Sequence, residues 1–321
     1  FSSRPYPADQ EPGRALMQNV LKRLSRKIFF WGDRLGIHIL PKHYYTPIPD
    51  YSWLRAHREA WTQRAPLLGV EWNLDEQLRW LEEICRPYYH EVAGLEFYRR
   101  LSGGEWGPGF GPIESQVLHC FVRSKNPPRI LEVGSGVSTA CMAHAGKLNQ
   151  KEGRGMPAVT SIEPFPRPAL REMKEVTHVR QVCQTAPMEL FERLQAGDLL
   201  FIDSSHAVKL GSDVIHLYLN VIPRLAPGVF IHIHDIVLPY LYGPDVLEKY
   251  FAWQETTLLL ALLTDNRRLT IRSCLSALHH DRKEEFRSLL ADYRPQMLDH
   301  GLSVPKQRDL HFPASMWLQS A

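Results

Sequence analysis

The sequence predicts an α/β fold in which a mostly parallel sheet is covered by helices on both faces. From residue 129 onward, short apolar runs alternate with segments of helical character, as in parallel strands joined by helices. The run 198–203 (Asp-Leu-Leu-Phe-Ile-Asp) is apolar throughout its interior, as expected for a strand that is buried on both faces. We assign strands to 129–133, 158–162, 178–183, 198–202, 228–234, 269–274 and 315–319, the last of them as an edge strand.

The chain separates into two regions near residue 110, so we predict a helical N-terminal cap over 1–110 and a second domain over 111–321. A proline-rich start at 1–13 is followed by a candidate helix. Its apolar residues recur at helical spacing with basic residues between them: Leu16, Val20, Leu21, Leu24 and Ile28, with Lys22, Arg23, Arg26 and Lys27. We favour a helix packed on the main domain with a solvated basic face. The alternative is an amphipathic surface for a membrane or an acidic partner.

Four further segments organise the chain. Residues 41–53 are rich in prolines and aromatic side chains, which exclude a regular helix, and we suggest that they close over a substrate. Asn73 and Glu76 are spaced as a capping box at the start of another helix. The glycine-rich run 103–112 predicts a linker or a loop over a site. A long helix is expected at 245–264.

The composition excludes several classes of protein. With 44% hydrophobic and 23% charged residues the chain is not of a disordered type, and a net charge of +3 gives no footprint for nucleic acid. No apolar run approaches the ~18 residues that a membrane span needs. The five cysteines form no C-x-x-C pair, which predicts free thiols in a reducing cytoplasm. The expected partner is a small-molecule acceptor; homo-oligomer formation is left open.

The most informative stretch is 130–139, which reads Ile-Leu-Glu-Val-Gly-Ser-Gly-Val-Ser-Thr. A strand carrying Glu132 leads through Gly134 and Gly136 into a helix start. The glycines let a ligand approach the backbone, and the helix start offers N–H groups to an anion. A dinucleotide site needs glycine or alanine where Thr139 stands, and an acid before the turn disfavours a pyrophosphate. Both observations argue against a nicotinamide oxidoreductase, which is kept as a rival.

The pattern E-x-G-x-G-x-S-T resembles motif I of class I S-adenosylmethionine (SAM) methyltransferases. The resemblance covers about 111–321 and is carried by 132–139, 161–164, 201–206 and 234–236. Within that class, the chain resembles the bacterial small-molecule group of sugar O-methyltransferases and cephalosporin-hydroxylase-like proteins. The resemblance implies a Rossmann-like methyltransferase fold, with a seven-stranded sheet whose last strand is antiparallel. It also implies methyl transfer from SAM to a small-molecule hydroxyl.

In such a fold SAM would lie across the carboxyl edge of strands one, two and four. Its methionine part would then be lined by Glu132, Gly134 and Gly136, while Glu163 would accept hydrogen bonds from the ribose hydroxyls. Phe165 would lie against the adenine face. The resemblance thus implies this set of SAM-binding residues: Glu132, Gly134, Ser135, Gly136, Ser138, Thr139, Glu163, Phe165, Ala186 and Asp203.

Asp203 and His206 follow the fourth strand, at the edge where ligands of open α/β folds bind. A hydroxyl acceptor loses its proton on methylation, and imidazole titrates near neutral pH. We therefore predict that His206 is the catalytic base, with Asp203 beside it. The alternative is a histidine that only caps or packs at a helix start.

Two histidines and an acid end the run 230–235. In metal-dependent relatives, acids after strands four and five hold a divalent cation, which implies Asp203, His234 and Asp235 as ligands here. Because Mg²⁺ prefers oxygen, an imidazole in the set suits Mn, Fe or Zn better than Mg. In the alternative, Asp203 contacts SAM or the acceptor, and His234 and Asp235 form a hydrogen-bonded pair.

The other candidates carry less weight. His232 lies deeper in its strand and is predicted to be core, whereas His279 and His280 are predicted at the surface. The acceptor wall, or alternatively the packing of a helix, is assigned to Tyr240, Tyr242, Trp253, Gln254 and Glu255. Two further rivals are a non-catalytic nucleoside-binding protein and a metal-centred enzyme on the same fold.

Overall fold

The computed structural model describes residues 12–42, 44–103, 109–249, 251–299, 302–303 and 309–321. Residues 1–11 of the predicted start at 1–13, His43 and half of the glycine-rich run (104–108) therefore lie outside the described residues, as do the side chains of 12–22. The chain divides into two compact units, Phe1–His57 and Arg58–Ala321.

The first unit contains helices α1 (Pro12–Arg34) and α2 (Tyr51–Ala56). Helix α2 begins after Asp50, whose carboxylate accepts hydrogen bonds from the N–H groups of Ser52 and Trp53. Of the segment 41–53, which was predicted to contain no regular helix, the described residues up to Asp50 are non-helical. The prediction is wrong for 51–53, which form the first turn of α2, because the last proline of the segment is Pro49 and Asp50 caps the helix. No described helix has the length and hydropathy that a membrane span requires.

Among its described residues, the second unit holds ten further α-helices. They are α3 (Leu74–Cys85), α4 (Glu96–Ser102), α5 (Pro112–Lys125), α6 (Val137–Lys151), α7 (Pro168–Glu172), α8 (Glu189–Glu192), α9 (Asp213–His216), α10 (Glu255–Leu263), α11 (Leu275–Asp281) and α12 (Lys283–Leu289). The predicted cap of α3 is confirmed, since the Asn73 side chain accepts hydrogen bonds from the N–H groups of Asp75 and Glu76. The predicted helix at 245–264 is shorter: α10 covers only Glu255–Leu263, and residues 251–254 before it are not helical.

A seven-stranded sheet forms the centre of this unit. Its strands are β1 (Arg129–Val133), β2 (Ala158–Ile162), β3 (Val176–Val179), β4 (Leu199–Ile202), β5 (Phe230–His234), β6 (Leu269–Cys274) and β9 (Ser315–Ser320); β7 (Leu298–Asp299) and β8 (Leu302–Ser303) form a separate pair. The order is β3-β2-β1-β4-β5-β9-β6. Strands β1 to β5 pair in parallel, and β9 runs antiparallel to both of its neighbours. The predicted fold class is confirmed.

Two strand predictions need correction. Strand β3 begins at Val176 rather than 178 and ends at Val179. Strand β9 is not an edge strand: Leu318 pairs with Ile231 of β5 on one side and with Ile271 of β6 on the other. An apolar strand gains two backbone ladders and two buried faces in that position, which the sequence of the strand alone does not reveal.

Both faces of the sheet are buried. Because side chains alternate along a strand, Ile130 and Phe201 pack into one apolar cluster, whereas Leu131, Leu200 and Ile202 pack into the other. All five cysteines are described, buried and free of disulfides.

The predictions for the three histidines outside the candidate site, His232, His279 and His280, have different outcomes. His232 is core as predicted, with 1% of its surface exposed and its ring stacked on Phe201 at 4.3 Å. The surface prediction for His279 is wrong: it is buried, and its Nδ1 lies 2.7 Å from the Tyr293 hydroxyl. His280 is half-buried, since α11 continues directly from the buried end of β6.

Candidate functional site

The carboxyl ends of the parallel strands meet at one edge of the sheet and carry the predicted site residues. Val133 of β1 is in register with Ile202 of β4, and Ile202 with Ile233 of β5. The residues that follow these positions, Gly134 and Asp203 among them, therefore lie side by side at the edge where ligands of open α/β sheets bind.

The turn after β1 is fixed to both neighbouring strands. The Gly134 N–H donates to the carbonyl of Ile162 at 3.0 Å, and the Ser161 hydroxyl donates to the Gly134 carbonyl at 2.9 Å. On the other side, the Asp203 N–H donates to the Val133 carbonyl at 3.0 Å. Gly134 itself has φ +102°, a conformation that favours glycine.

Glu132 holds this turn to the start of α6. The carboxyl is fully buried, and its two oxygens accept hydrogen bonds from the hydroxyls of Ser138 and Thr139, both at 2.6 Å. Burial raises the pKa of Glu132 to about 8, against the lowering effect of these two bonds. The Thr139 hydroxyl also accepts the Gly136 N–H at 3.0 Å. Three predicted SAM-binding side chains thus bond to one another and shape the turn.

Glu163 faces the same turn from the end of β2. The Ser135 hydroxyl donates to one carboxylate oxygen at 3.3 Å, and the Phe165 N–H donates to the other at 2.7 Å. The Phe165 side chain is 83% exposed, so one aromatic face is open beside the carboxylate. Ala186 is buried and follows the short turn Cys183–Thr185 after β3.

Two acids and two imidazoles cluster after β4 and β5. The Asp203 Oδ1 lies 3.4 Å from both His206 Nε2 and His234 Nδ1, and the Asp235 Oδ2 lies 3.5 and 3.6 Å from the same two atoms. His206 and Asp235 have φ values of +56° and +55°. Non-glycine residues rarely adopt this conformation, and where they do it is often at functional sites.

His206 has a second partner that sequence reasoning did not assign. Its Nδ1 lies 2.7 Å from the Glu255 Oε2, and both side chains are buried. In the neutral ring, an Nδ1–H donated to Glu255 leaves the lone pair on Nε2, which faces Asp203 and Asp235. The pair spans 49 residues, with Glu255 in the first turn of α10.

The cluster is rich in negative charge. Burial lowers the pKa of His206, but the hydrogen bonds to Asp203 and Glu255 raise it well above its ordinary value. Burial likewise lowers the pKa of His234, and the charges of Asp235 and Asp203 raise it to about 9. These directions mean that the site stabilises positive charge between its carboxylates.

The residues present fit a divalent cation. One ligand atom from each of Asp203, His206 and His234 lies within 4.8 Å of the others. The buried His234 Nδ1 has no hydrogen-bond partner among the described residues, although two carboxylates lie near it. Mixed nitrogen and oxygen donors suit Mn²⁺, Fe²⁺ or Zn²⁺ better than Mg²⁺.

A cavity of about 140 Å³ opens beside His206 and Asp235. The Trp253 ring lies 4.7 Å from the His206 ring, and the Lys249 ammonium lies 4.4 Å above the indole and 2.6 Å from Asp245. Of the five residues predicted to build the acceptor wall, Trp253 and Glu255 line this cavity, whereas Tyr240, Tyr242 and Gln254 are not among its lining residues. Sequence reasoning missed two further lining residues near the chain end, Phe312 and Ala314.

Glu114 was also missed. It lies in the first turn of α5, is buried, and accepts a hydrogen bond from the Ala314 N–H at 2.9 Å. Burial raises the pKa of Glu114, while the charge of His234 lowers it. The carboxyl therefore couples α5 and the chain end to the charges of the site. A lone acid at a helix start carries no sequence signal of that coupling.

Residues 131–236 match the protein-family model described as a methyltransferase domain. No curated protein is significantly similar to the chain.

Several solved structures resemble the chain weakly. An SAH-bound methyltransferase from Podospora anserina is 13% identical, covers 88% of this chain and 98% of its own, and has a TM-score of 0.40. The SAM complex of the O-methyltransferase TomG from Streptomyces achromogenes, involved in tomaymycin synthesis, is 13% identical, covers 78% and 92%, and has a TM-score of 0.40. An O-methyltransferase from Bacillus cereus in complex with SAH is 15% identical, covers 55% and 80%, and has a TM-score of 0.35. At such low TM-scores these likenesses carry no argument about function.

The family match covers the glycine turn, Glu163 and the cluster at Asp203, His206, His234 and Asp235. Residues 131–236 of the chain are therefore similar to a methyltransferase domain.

Proposed function

We propose that the protein transfers the methyl group of SAM to a hydroxyl group of a small molecule. The observation that carries the proposal is the direct contact between the glycine turn and the acid of the cluster. Gly134 packs so closely on Asp203 that an added Cβ would lie 2.3 Å from the Asp203 carbonyl oxygen. A cofactor held at the turn would therefore present its methyl group next to His206, beside the 140 Å³ cavity.

In this proposal, each end of the cofactor has its own residues. The ribose hydroxyls donate to Glu163, the adenine lies on the exposed face of Phe165, and Ala186 contacts the adenine edge. The backbone at Ser135 and Gly136 approaches the methionine part, while Glu132 keeps the turn in shape. Support comes from the geometry: Ser135 and Glu163 meet across the turn at 3.3 Å.

The acceptor binds in the cavity beside Trp253. Its oxygen attacks the methyl carbon in line with the carbon–sulfur bond, which breaks to leave S-adenosylhomocysteine. The hydroxyl proton passes to Nε2 of His206, and Glu255 keeps the ring oriented through Nδ1. The carboxylates of Asp203 and Asp235 stabilise the imidazolium that forms.

We further propose that Asp203, His234 and Asp235 hold a divalent cation. Such a cation would lower the pKa of the acceptor hydroxyl and orient it. The support is the orphaned Nδ1 of His234 between two carboxylates. With the negative charge of these acids balanced, His206 is freer to act as the base.

The decisive test is turnover. Purified protein incubated with methyl-labelled SAM and a pool of small hydroxylated metabolites is expected to transfer label to a product that carries a new methyl ether. A thermal shift with NAD and none with SAM would favour the nicotinamide rival. SAM binding without any transfer would favour a non-catalytic nucleoside-binding protein.

Replacing Glu163 with alanine is expected to weaken SAM binding about 10–100-fold, because hydrogen bonds to a charged acceptor contribute about 1.5–3 kcal/mol. Calorimetric titration with SAM measures the change. Glu192→Ala removes an exposed acid of α8 and serves as the control, with unchanged affinity expected. Equal SAM affinity of the Glu163→Ala variant and the parent protein would contradict the assigned ribose contact.

Calorimetric titration of the metal-free protein with Mn²⁺ or Zn²⁺ is expected to show a single site that binds Mg²⁺ more weakly. His234→Ala should weaken it by about 100-fold or more, since loss of a group that merely supports a ligand already costs 10–100-fold. The control is His178→Ala, which removes an exposed histidine of β3. Unaltered cation affinity in His234→Ala would rule out this ligand set.

A further inference from the structure

Large exposed apolar side chains are concentrated in the first unit. Seventeen are recorded among the described residues, and ten of them lie between residues 24 and 48. A soluble surface tolerates single exposed apolar residues, but a cluster of this size marks a surface that contacts something else.

Part of this cluster is one stripe along α1. Leu24, Ile28 and Trp31 are spaced four and three residues apart, so they lie on the same face of the helix. They are 52%, 40% and 64% exposed. Leu35 extends the stripe just beyond the helix end and is 58% exposed.

Basic residues flank the stripe along one side. Arg23, Lys27 and Arg34 each precede a stripe residue by one position, so they form a parallel row about 100° around the helix. All three are exposed, as is Arg26. Between residues 23 and 42 the sequence contains five basic residues and a single acid, Asp33.

The apolar surface continues past the helix in a fixed position. The Gly32 carbonyl accepts hydrogen bonds from the N–H groups of Leu35 and Ile37, both at 2.9 Å, which turns the chain back against the helix end. Ile37 and Ile39 are 58% and 51% exposed. The acid Asp33 bonds His38 at 2.9 Å, so its charge is used locally.

We infer that this surface, Leu24, Ile28, Trp31 and Leu35 with the row Arg23, Lys27 and Arg34, docks on an anionic lipid bilayer. A helix with an apolar stripe, a basic flank and aromatic residues lies in the membrane interface with the stripe among the acyl chains and the basic groups at the lipid phosphates. The Trp31 indole is suited to the boundary between headgroups and hydrocarbon. Charge complementarity favours this occupant over a second copy of the chain, whose matching surface would be equally basic.

The inference is tested with the full chain and sedimentation with vesicles. Binding is expected to vesicles that contain phosphatidylglycerol and to be much weaker with phosphatidylcholine alone. Added salt should weaken it, because surface charges are screened. The charge-removing variant Arg23→Gln/Lys27→Gln/Arg34→Gln should lose about five-fold in affinity per residue. The apolar variant Leu24→Ser/Ile28→Ser/Trp31→Ser should no longer sediment with vesicles.

The control is Leu68→Ser/Leu210→Ser, which removes two exposed leucines of the second unit and should bind vesicles like the parent protein. SAM binding is measured in every variant as a test that the second unit is folded. This measurement does not depend on the docking surface, which lies in the first unit. Equal binding to both kinds of vesicle, or an apolar variant that still sediments, overturns the inference. So does an apolar variant that changes the oligomeric state but not vesicle binding, because the stripe then serves a second copy.

Discussion

Replacing His206 with asparagine is expected to slow methyl transfer about 10²–10⁴-fold, the usual contribution of a positioned general base. The reason is that Nε2 of His206 lies beside Asp203 and Asp235, while Nδ1 is occupied by Glu255 at 2.7 Å. The asparagine side chain can still donate an N–H to Glu255, but it cannot take up the proton that the substrate hydroxyl loses. SAM affinity should stay unchanged, because the proposed SAM contacts are made by the glycine turn and Glu163 and not by His206.

Single-turnover transfer from labelled SAM, compared with equilibrium SAM binding, separates these two effects. The control His178→Asn makes the same change at an exposed histidine of β3 and should leave both unchanged. Cation binding by the His206→Asn variant distinguishes two roles of His206. If His206 is the base, the variant still binds the cation. If His206 is a ligand of the cation, the variant loses cation binding together with activity. A variant that transfers at the parent rate would eliminate His206 as the base.

Much of the fold could be predicted because its signals are local. Strand β1 has the bounds 129–133 in both the prediction and the structure, since an apolar run there is bounded by prolines and by Gly134. The position of β9 inside the sheet could not be predicted in the same way. It depends on which strands it pairs with, and those partners lie far away in sequence.

The candidate site likewise contains residues whose proximity could be predicted and residues whose contacts could not. Asp203 and Asp235 follow β4 and β5, and His234 is the last residue of β5. The ends of these strands must meet in a parallel sheet, so the proximity of the three residues follows from the topology. The partnership of His206 with Glu255 depends on where α10 begins, and no local pattern fixes that. For Glu132, the position before the glycine turn could be predicted from the sequence. Its buried hydrogen bonds with the hydroxyls of Ser138 and Thr139 could not.

Replacing Gly134 with alanine is expected to have the largest effect on the fold and the site together. At φ +102° a side chain costs about 1–3 kcal/mol through the backbone alone. In addition, the new Cβ would lie 2.3 Å from the Asp203 carbonyl oxygen, so the end of β4 has to move. Since Asp203 belongs to the cluster and Gly134 to the cofactor turn, we expect a lower unfolding temperature and the loss of both SAM binding and methyl transfer.

Gly153→Ala provides the matched control for this change. Gly153 also has a left-handed backbone, with φ +74°, but an added Cβ would meet nothing within 4 Å. Both variants place a side chain on a left-handed backbone and therefore carry the same kind of conformational penalty. Any additional loss of unfolding free energy in Gly134→Ala, measured by urea unfolding, is then due to the contact with Asp203. If both variants unfold at the same urea concentration, the turn can yield without moving Asp203, and its close packing on β4 is not what holds the cofactor turn to the cluster. If Gly134→Ala is the less stable variant but binds SAM normally, the cofactor does not lie on this turn.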